Sequence, residues 1–72
     1  MIVHVKGDAD YWEWDTVCMV LDLIGVDEIV YEDGPGAAAE AHYWAARRGV
    51  ERGYTQFAHI EVTFSKAGIE VK

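Results

Sequence analysis

Residues 32–45 read EDGPGAAAEAHYWA, and this stretch decides the fold. The apolar segment before it, 28–31, is typical of a strand, Gly34-Pro35-Gly36 of a turn, and the alanine-rich run of a helix. Nucleotide-binding α/β proteins use a strand, a glycine-rich turn and a helix to hold phosphate at the helix N-terminus. Because the turn carries Glu32 and Asp33 and no basic residue, it predicts the fold more strongly than an anion site.

The chain before this stretch predicts a strand and then a helix. Residues 1–6 are apolar and largely β-branched, which predicts a strand that is covered on both faces and ends at Gly7. Asp10, with Glu13 three residues later, has the spacing of a capping box. We therefore expect a helix over 11–24.

The chain after it predicts a second helix and a terminal hairpin. Pro35 is suited to the first position of a helix, because its missing N–H would be unpaired there anyway, and this helix continues to Arg48. The segment 50–55 is expected to be irregular. Segments 59–64 and 68–71 alternate polar and apolar residues, which predicts two strands joined by a tight turn.

The element order is therefore β-α-β-α-β(-β) in one domain, residues 1–72. Alternating strands and helices predict a small Rossmann-like α/β domain with a mainly parallel sheet, right-handed crossovers and a C-terminal hairpin. A chain of 72 residues lies near the lower limit for a stable single core, and such chains often gain burial by oligomerising.

The charge is strongly acidic and unevenly placed. The net charge is −7, and ten acidic residues but no Lys or Arg lie between Gly7 and Ala46. Nucleic acid is an improbable partner, since binding it requires neutralising phosphates with Lys and Arg. A basic protein surface suits this charge better. The alternative is that the acids only form a solvated face that keeps the protein soluble.

The first helix carries two apolar stripes. One stripe, from Trp14 to Ile24, predicts the contact with the sheet. The second lies on the opposite side and is expected to meet another layer or another chain, with Trp12 as its main anchor. We therefore predict a homodimer through this helix and an interaction surface formed by Tyr11, Trp12, Asp15, Thr16, Met19 and Leu23.

Two segments resemble a known family. Gly7-Asp8-Ala9-Asp10-Tyr11 is similar to a G-[SG]-R-D-Y turn, and Gly36-Ala37 with Ala41 and Trp44-Ala45 has the spacing of A-R-G-A-D-x-x-A-x-x-W-A. Both motifs belong to the short YspA-like branch of the SLOG superfamily of Rossmann-like domains. The segment 58–68 is a weaker match to the family's A-D-W and G-K-A-A-G. The resemblance implies a C-terminally truncated domain, with a family-like loop as the alternative to the terminal hairpin.

The resemblance implies a crevice for a nucleotide-derived ligand at the carboxyl edge of the sheet. Its residues in this chain are Gly7, Asp8, Asp10, Gly34, Gly36 and Ala37. The family's arginines fall on Ala9 and Pro35, so the residues that attract phosphate are missing. Carboxylates at this mouth would repel a phosphate by about 4 kcal/mol per like charge at 4 Å, more than a helix N-terminus supplies. Nucleotide binding in the family's manner is therefore disfavoured.

No residue pattern predicts catalysis, a cofactor or a metal. Ser65 and Thr55 lack a recognisable base, and Cys18 lies on the apolar stripe as a core thiol. The histidines are scattered along the chain. The acids near the two turns have no known metal-binding spacing, although oxygen ligands suit Mg²⁺ or Ca²⁺.

These observations predict a non-enzymatic, cytoplasmic interaction protein that binds a protein with a basic surface. Small size, acidity and a degenerate ligand site are typical of a phage-encoded regulator or inhibitor acting in the host cytoplasm. One alternative is a module that still binds a nucleotide-derived ligand. A further alternative is an acidic mimic of DNA. No run of about 18 apolar residues predicts a membrane span.

Overall fold

The computed structural model of the protein describes residues 1–54 and 57–72. In chain order its elements are β1 (Ile2–Gly7), α1 (Trp14–Ile24), β2 (Glu28–Val30), α2 (Ala37–Arg48), β3 (Glu51–Arg52), β4 (Ile60–Ser65) and β5 (Gly68–Val71). Neither helix in this part of the chain combines the length and the apolar character needed to cross a membrane.

The strands form a five-stranded sheet in the order β3-β2-β1-β4-β5. The central strand β1 runs parallel to both β2 and β4, and Val3 lies between Ile29 and Ile60. Only β5 is antiparallel, and it follows β4 in a hairpin. The fold is therefore a small, mostly parallel Rossmann-like α/β domain with a C-terminal antiparallel hairpin, as predicted. The hairpin, not the family-like loop, occupies the C-terminal segment.

Both helices cover the same face of the sheet. Successive right-handed crossovers from β1 to β2 and from β2 to β3 move in one direction, which places both helices on one side. Val3 and Val5 of β1 are accordingly buried, whereas His4 and Lys6, which point the other way, are not. The prediction that β1 is covered on both faces is wrong, because the described chain supplies no helix for the second face.

The core lies between this face and the two helices. Its members are apolar side chains from every layer: Val3, Val5, Tyr11, Val17, Leu21, Ile29, Tyr31, Ala37, Ala41, Trp44, Ala45, Val62 and Phe64. Trp14 and Cys18 pack against this cluster, and burial raises the pKa of the Cys18 thiol. Cys18 is therefore a core thiol, as its position on the inner stripe predicted.

The first helix begins three residues later than predicted. The N–H of Tyr11 donates to the carbonyl oxygen of Asp8, so the chain turns before it becomes helical at Trp14. Glu13 is the N-cap residue, but its side chain forms no capping hydrogen bond with the helix. The predicted capping box of Asp10 and Glu13 is therefore absent, because Asp10 forms part of the turn.

The second helix also begins later, and a short strand follows it. Gly36 is its N-cap residue with φ 74°, so Pro35 lies outside the helix and not at its first position. Glu51–Arg52 pairs with β2 as β3, within the segment 50–55 that was predicted to be irregular. Thr55, at the end of that segment, lies outside the described residues.

Candidate functional site

The turn after β1 packs directly against the turn before α2. The N–H of Ala37 donates to the carbonyl oxygen of Asp8 over 3.3 Å. A Cβ at Gly36 would collide with the backbone of Asp8 and Ala9, and a Cβ at Gly7 would collide with Phe64. Gly7 and Gly36 are therefore required for close packing at these turns, whereas Gly34 has open space beside it.

A cleft of about 340 Å³ lies beside these turns, at the carboxyl ends of β1 and β2. Its volume is at the lower end of the range of roughly 300–1,000 Å³ that small-molecule sites occupy. Of the six residues predicted to bind a ligand, Gly7 and Gly34 line the cleft, together with Lys6, Glu32 and Ala38. Asp8, Asp10, Gly36 and Ala37 do not line it.

Two basic residues from distant parts of the chain reach the acidic turns. Lys66, in the β4–β5 turn, forms an ion pair of 2.6 Å with Asp10, and this hydrogen bond lowers the pKa of the Asp10 carboxyl. Arg52 of β3 pairs with Asp33 at 3.0 Å. The sheet order brings Arg52 and Lys66 to the edge where the acids lie, so two of the acidic side chains there, Asp10 and Asp33, have basic partners.

Arg52 belongs to an aromatic network that the sequence did not indicate. Its guanidinium lies 4.1 Å from the ring centroid of Tyr31 and 4.9 Å from that of Tyr54. The hydroxyl of Tyr31 is 2.6 Å from Nδ1 of His42, and burial raises the pKa of this phenol. Tyr31 follows β2 and Arg52 lies in β3, so their contact depends on the pairing of these two strands.

The predicted interaction surface lies on the outer side of α1 and in the turn that precedes it. Trp12 and Met19 are each 58% exposed and Leu23 is 81% exposed. Asp15 is also exposed, and Thr16 is half-buried. We call Trp12, Asp15, Thr16, Met19 and Leu23 the α1 surface.

Tyr11 does not belong to the α1 surface. It is only 7% exposed, and its ring centroid lies 5.5 Å from that of Phe64 in β4. Its inclusion among the surface residues was wrong, because the turn at residues 8–11 directs the side chain into the core.

The remaining candidate groups have structural partners or no cluster around them. Nδ1 of His59 accepts a hydrogen bond from the N–H of Ile2 over 2.8 Å, which joins the starts of β1 and β4. Among residues 1–54 and 57–72, no three His, Cys, Asp or Glu side chains are grouped as metal ligands would be.

Comparison with known proteins found no match among protein-family models, curated proteins or solved structures. The resemblance to the SLOG superfamily therefore stays a prediction, and function is argued below from the residues of this chain.

Proposed function

We propose that this protein is a non-enzymatic interaction module that binds a partner protein through the α1 surface. The observation that carries the proposal is the exposure of Met19 and Leu23 on one side of α1, together with that of Trp12 in the turn that precedes it. Large apolar side chains that are exposed together mark interaction sites on small soluble domains. Fully burying each of them would contribute about 1.5–3 kcal/mol.

The other helix lacks such a surface. The exposed part of α2 includes Arg47 and Arg48, and of its large apolar residues only Tyr43 is exposed, at 59%. Arg48 forms a salt bridge with Asp22 of α1, and Arg47 lies over the ring of Trp14. The bases of α2 therefore serve the contact between the helices, and of the two helices α1 exposes more large apolar side chains, Met19 and Leu23.

Charge supports a basic partner. Asp15 lies one helical turn before Met19, within the acidic stretch that extends from Asp8 to Glu40. Some of these acids have bases beside them, as Asp10, Asp22 and Asp33 show. The net charge is still −7, which would accelerate encounter with a positively charged surface and make association sensitive to salt.

A matched pair of variants tests this function. The wild-type chain is used as bait, beside a Met19→Asp/Leu23→Asp variant and a Tyr43→Asp control on α2. We expect a specific set of proteins to be captured by the wild type and the control and lost with the α1 variant. Capture of the same proteins by all three would contradict the proposal. Displacement of the captured protein by DNA would identify the DNA-mimic alternative.

A second candidate function is binding of a small ligand in the cleft beside Gly7 and Gly34. The ion pair of Asp33 with Arg52 favours it, because it reduces the repulsion of an anion by a carboxylate that lines the cleft. A ligand at 100 times its dissociation constant would stabilise the domain by about 2.7 kcal/mol. A thermal-shift screen of nucleotides with and without Mg²⁺ measures this, with Ala38→Leu as the variant that fills the cleft.

A further inference from the structure

The outer edge of β5 has backbone groups that the sheet does not use. The N–H of Lys72 donates to the carbonyl of Glu61 over 2.9 Å, so these two residues form a hydrogen-bonded pair of the hairpin ladder. Because bonded and non-bonded pairs alternate along an antiparallel ladder, Ile69 and Val71 direct their N–H and C=O groups away from β4. No proline interrupts Gly68–Val71, so this edge is open to another strand.

The side chains of the same two residues are also uncovered. Ile69 and Val71 pair with Phe64 and Val62, whose side chains are buried beneath the helices. Directly paired residues point to the same face of a sheet. Ile69 and Val71 nevertheless remain 41% and 54% exposed, because the helix layer leaves β5 uncovered.

We propose that β5 pairs in antiparallel fashion with β5 of a second copy, about a two-fold axis at Val71. In this register Glu70 of each copy lies opposite Lys72 of the other, and the two Val71 side chains meet on the helix side. Opposite charges facing each other across strands are stabilising. With the two-fold axis at Glu70 instead, the Glu70 carboxylates of the two copies would lie opposite each other and repel. The charges therefore favour the axis at Val71.

This pairing differs from the predicted homodimer through α1. It joins two five-stranded sheets and leaves Trp12, Met19 and Leu23 of both copies accessible. The assembly would present two α1 surfaces at once, which raises the avidity for a partner that has two sites.

Charge-swapped variants test the pairing by sedimentation over a wide range of protein concentration. Glu70→Lys and Lys72→Glu each place like charges opposite one another twice, and each is expected to weaken self-association on the order of tenfold. A mixture of the two variants restores both opposite-charge pairs and is expected to associate as the wild type does. Glu51→Lys, in β3 at the other edge of the sheet, is the control. Circular dichroism verifies that each variant is folded.

Three results would overturn the proposal. One is a wild-type chain that is monomeric at every concentration. Another is self-association that Leu23→Asp abolishes and Lys72→Glu leaves unchanged, which would assign the dimer to α1. The third is a mixture of the two variants that associates no more strongly than either variant alone, which would exclude this register. Val71→Pro, which removes the outward N–H at the axis, is expected to abolish association without removing a hydrogen bond to β4.

Discussion

The carboxylate of Glu40, near the start of α2, accepts a 3.0 Å hydrogen bond from the backbone N–H of Glu13, the N-cap residue of α1. Glu40 is almost fully buried, and this burial raises the pKa of its carboxyl above the ordinary value of 4.5. One side chain therefore joins the starts of the two helices.

The raised pKa of Glu40 predicts a pH dependence of stability. Between the unfolded and the folded pKa, the native state holds a proton that the unfolded state has released, so this group's contribution is lost as pH rises. Glu40→Gln keeps an acceptor for Glu13 and carries no charge. We expect its stability relative to the wild type to increase as pH rises above the ordinary carboxyl pKa of 4.5, measured by urea unfolding. An equal change in the exposed control Glu51→Gln would contradict this assignment.

Removal of the Glu40 side chain has the opposite effect. Glu40→Ala leaves the Glu13 N–H without its acceptor, which costs about 1–3 kcal/mol of unfolding free energy at neutral pH. Equal stability of Glu40→Ala and Glu40→Gln would show that the hydrogen bond between Glu13 and residue 40 contributes nothing to the free energy of unfolding.

Two glycines with positive φ differ in what a Cβ would meet. Gly36 has φ 74° and ψ −131°, Gly49 has φ 69° and ψ 28° in the left-handed region, and of the two only Gly36 would bring a Cβ against backbone atoms. Gly49→Ala is expected to cost about 1 kcal/mol. Gly36→Ala is expected to cost at least about 2 kcal/mol more, since its backbone angles are unfavourable for a residue with a Cβ and the two turns must separate. Urea unfolding of both variants measures the difference, and equal costs would contradict the contact between the turns.

The interhelical carboxylate of Asp22 gives a prediction at acid pH. Its Oδ1 accepts a 3.0 Å hydrogen bond from the Trp44 indole, and both of its oxygens accept hydrogen bonds from Arg48. The hydrogen bonds from Arg48 hold the pKa of the Asp22 carboxyl below its ordinary value of 3.8. A lowered carboxyl pKa stabilises the native state above the ordinary pKa, and this contribution is lost as pH falls through the lowered value.

We therefore expect Asp22→Asn to be less stable than the wild type at neutral pH and to approach it in acid. Asp22→Ala, which also removes the acceptor for Trp44, should be less stable than Asp22→Asn. Urea unfolding followed by circular dichroism compares the three proteins. A gap between wild type and Asp22→Asn that persists in strong acid would contradict the role of the ion pair.

Two leucines of α1 distinguish core from surface. Leu21 is fully buried and Leu23 is exposed, although they lie two residues apart. We expect Leu21→Ala to lower the unfolding free energy by about 2–5 kcal/mol and Leu23→Ala to change it by no more than about 0.5 kcal/mol. A large loss on substituting Leu23 would mean that this side chain serves the fold, and it would weaken the proposed function.

The sequence predicted those features that depend on local chemistry. The left-handed C-cap residues Gly25 and Gly49 end both helices, and the alternation in segments 59–64 and 68–71 predicted the hairpin. The sequence did not indicate that helices cover only one face of the sheet, because the apolar residues along β1 do not show on which side each helix packs.

The candidate site was harder to predict, because it is formed by contacts between residues that are distant in the sequence. The burial of Tyr11 arises from Phe64, and the neutralisation of Asp10 arises from Lys66, both from the opposite end of the chain. Residue spacing within the turn contains no information about such partners. The exposed residues Trp12, Met19 and Leu23 were predictable, since helical periodicity alone places them opposite the buried stripe.

The central position of β1 has a consequence for how the chain folds. Val3 pairs with Ile60 across almost the whole length of the chain, whereas Phe64 and Ile69 pair within a short hairpin. Closing a long loop costs more entropy than closing a short one and slows folding. Because β4 follows β1 in the chain, one backbone edge of β1 stays unpaired until the hairpin has been synthesised.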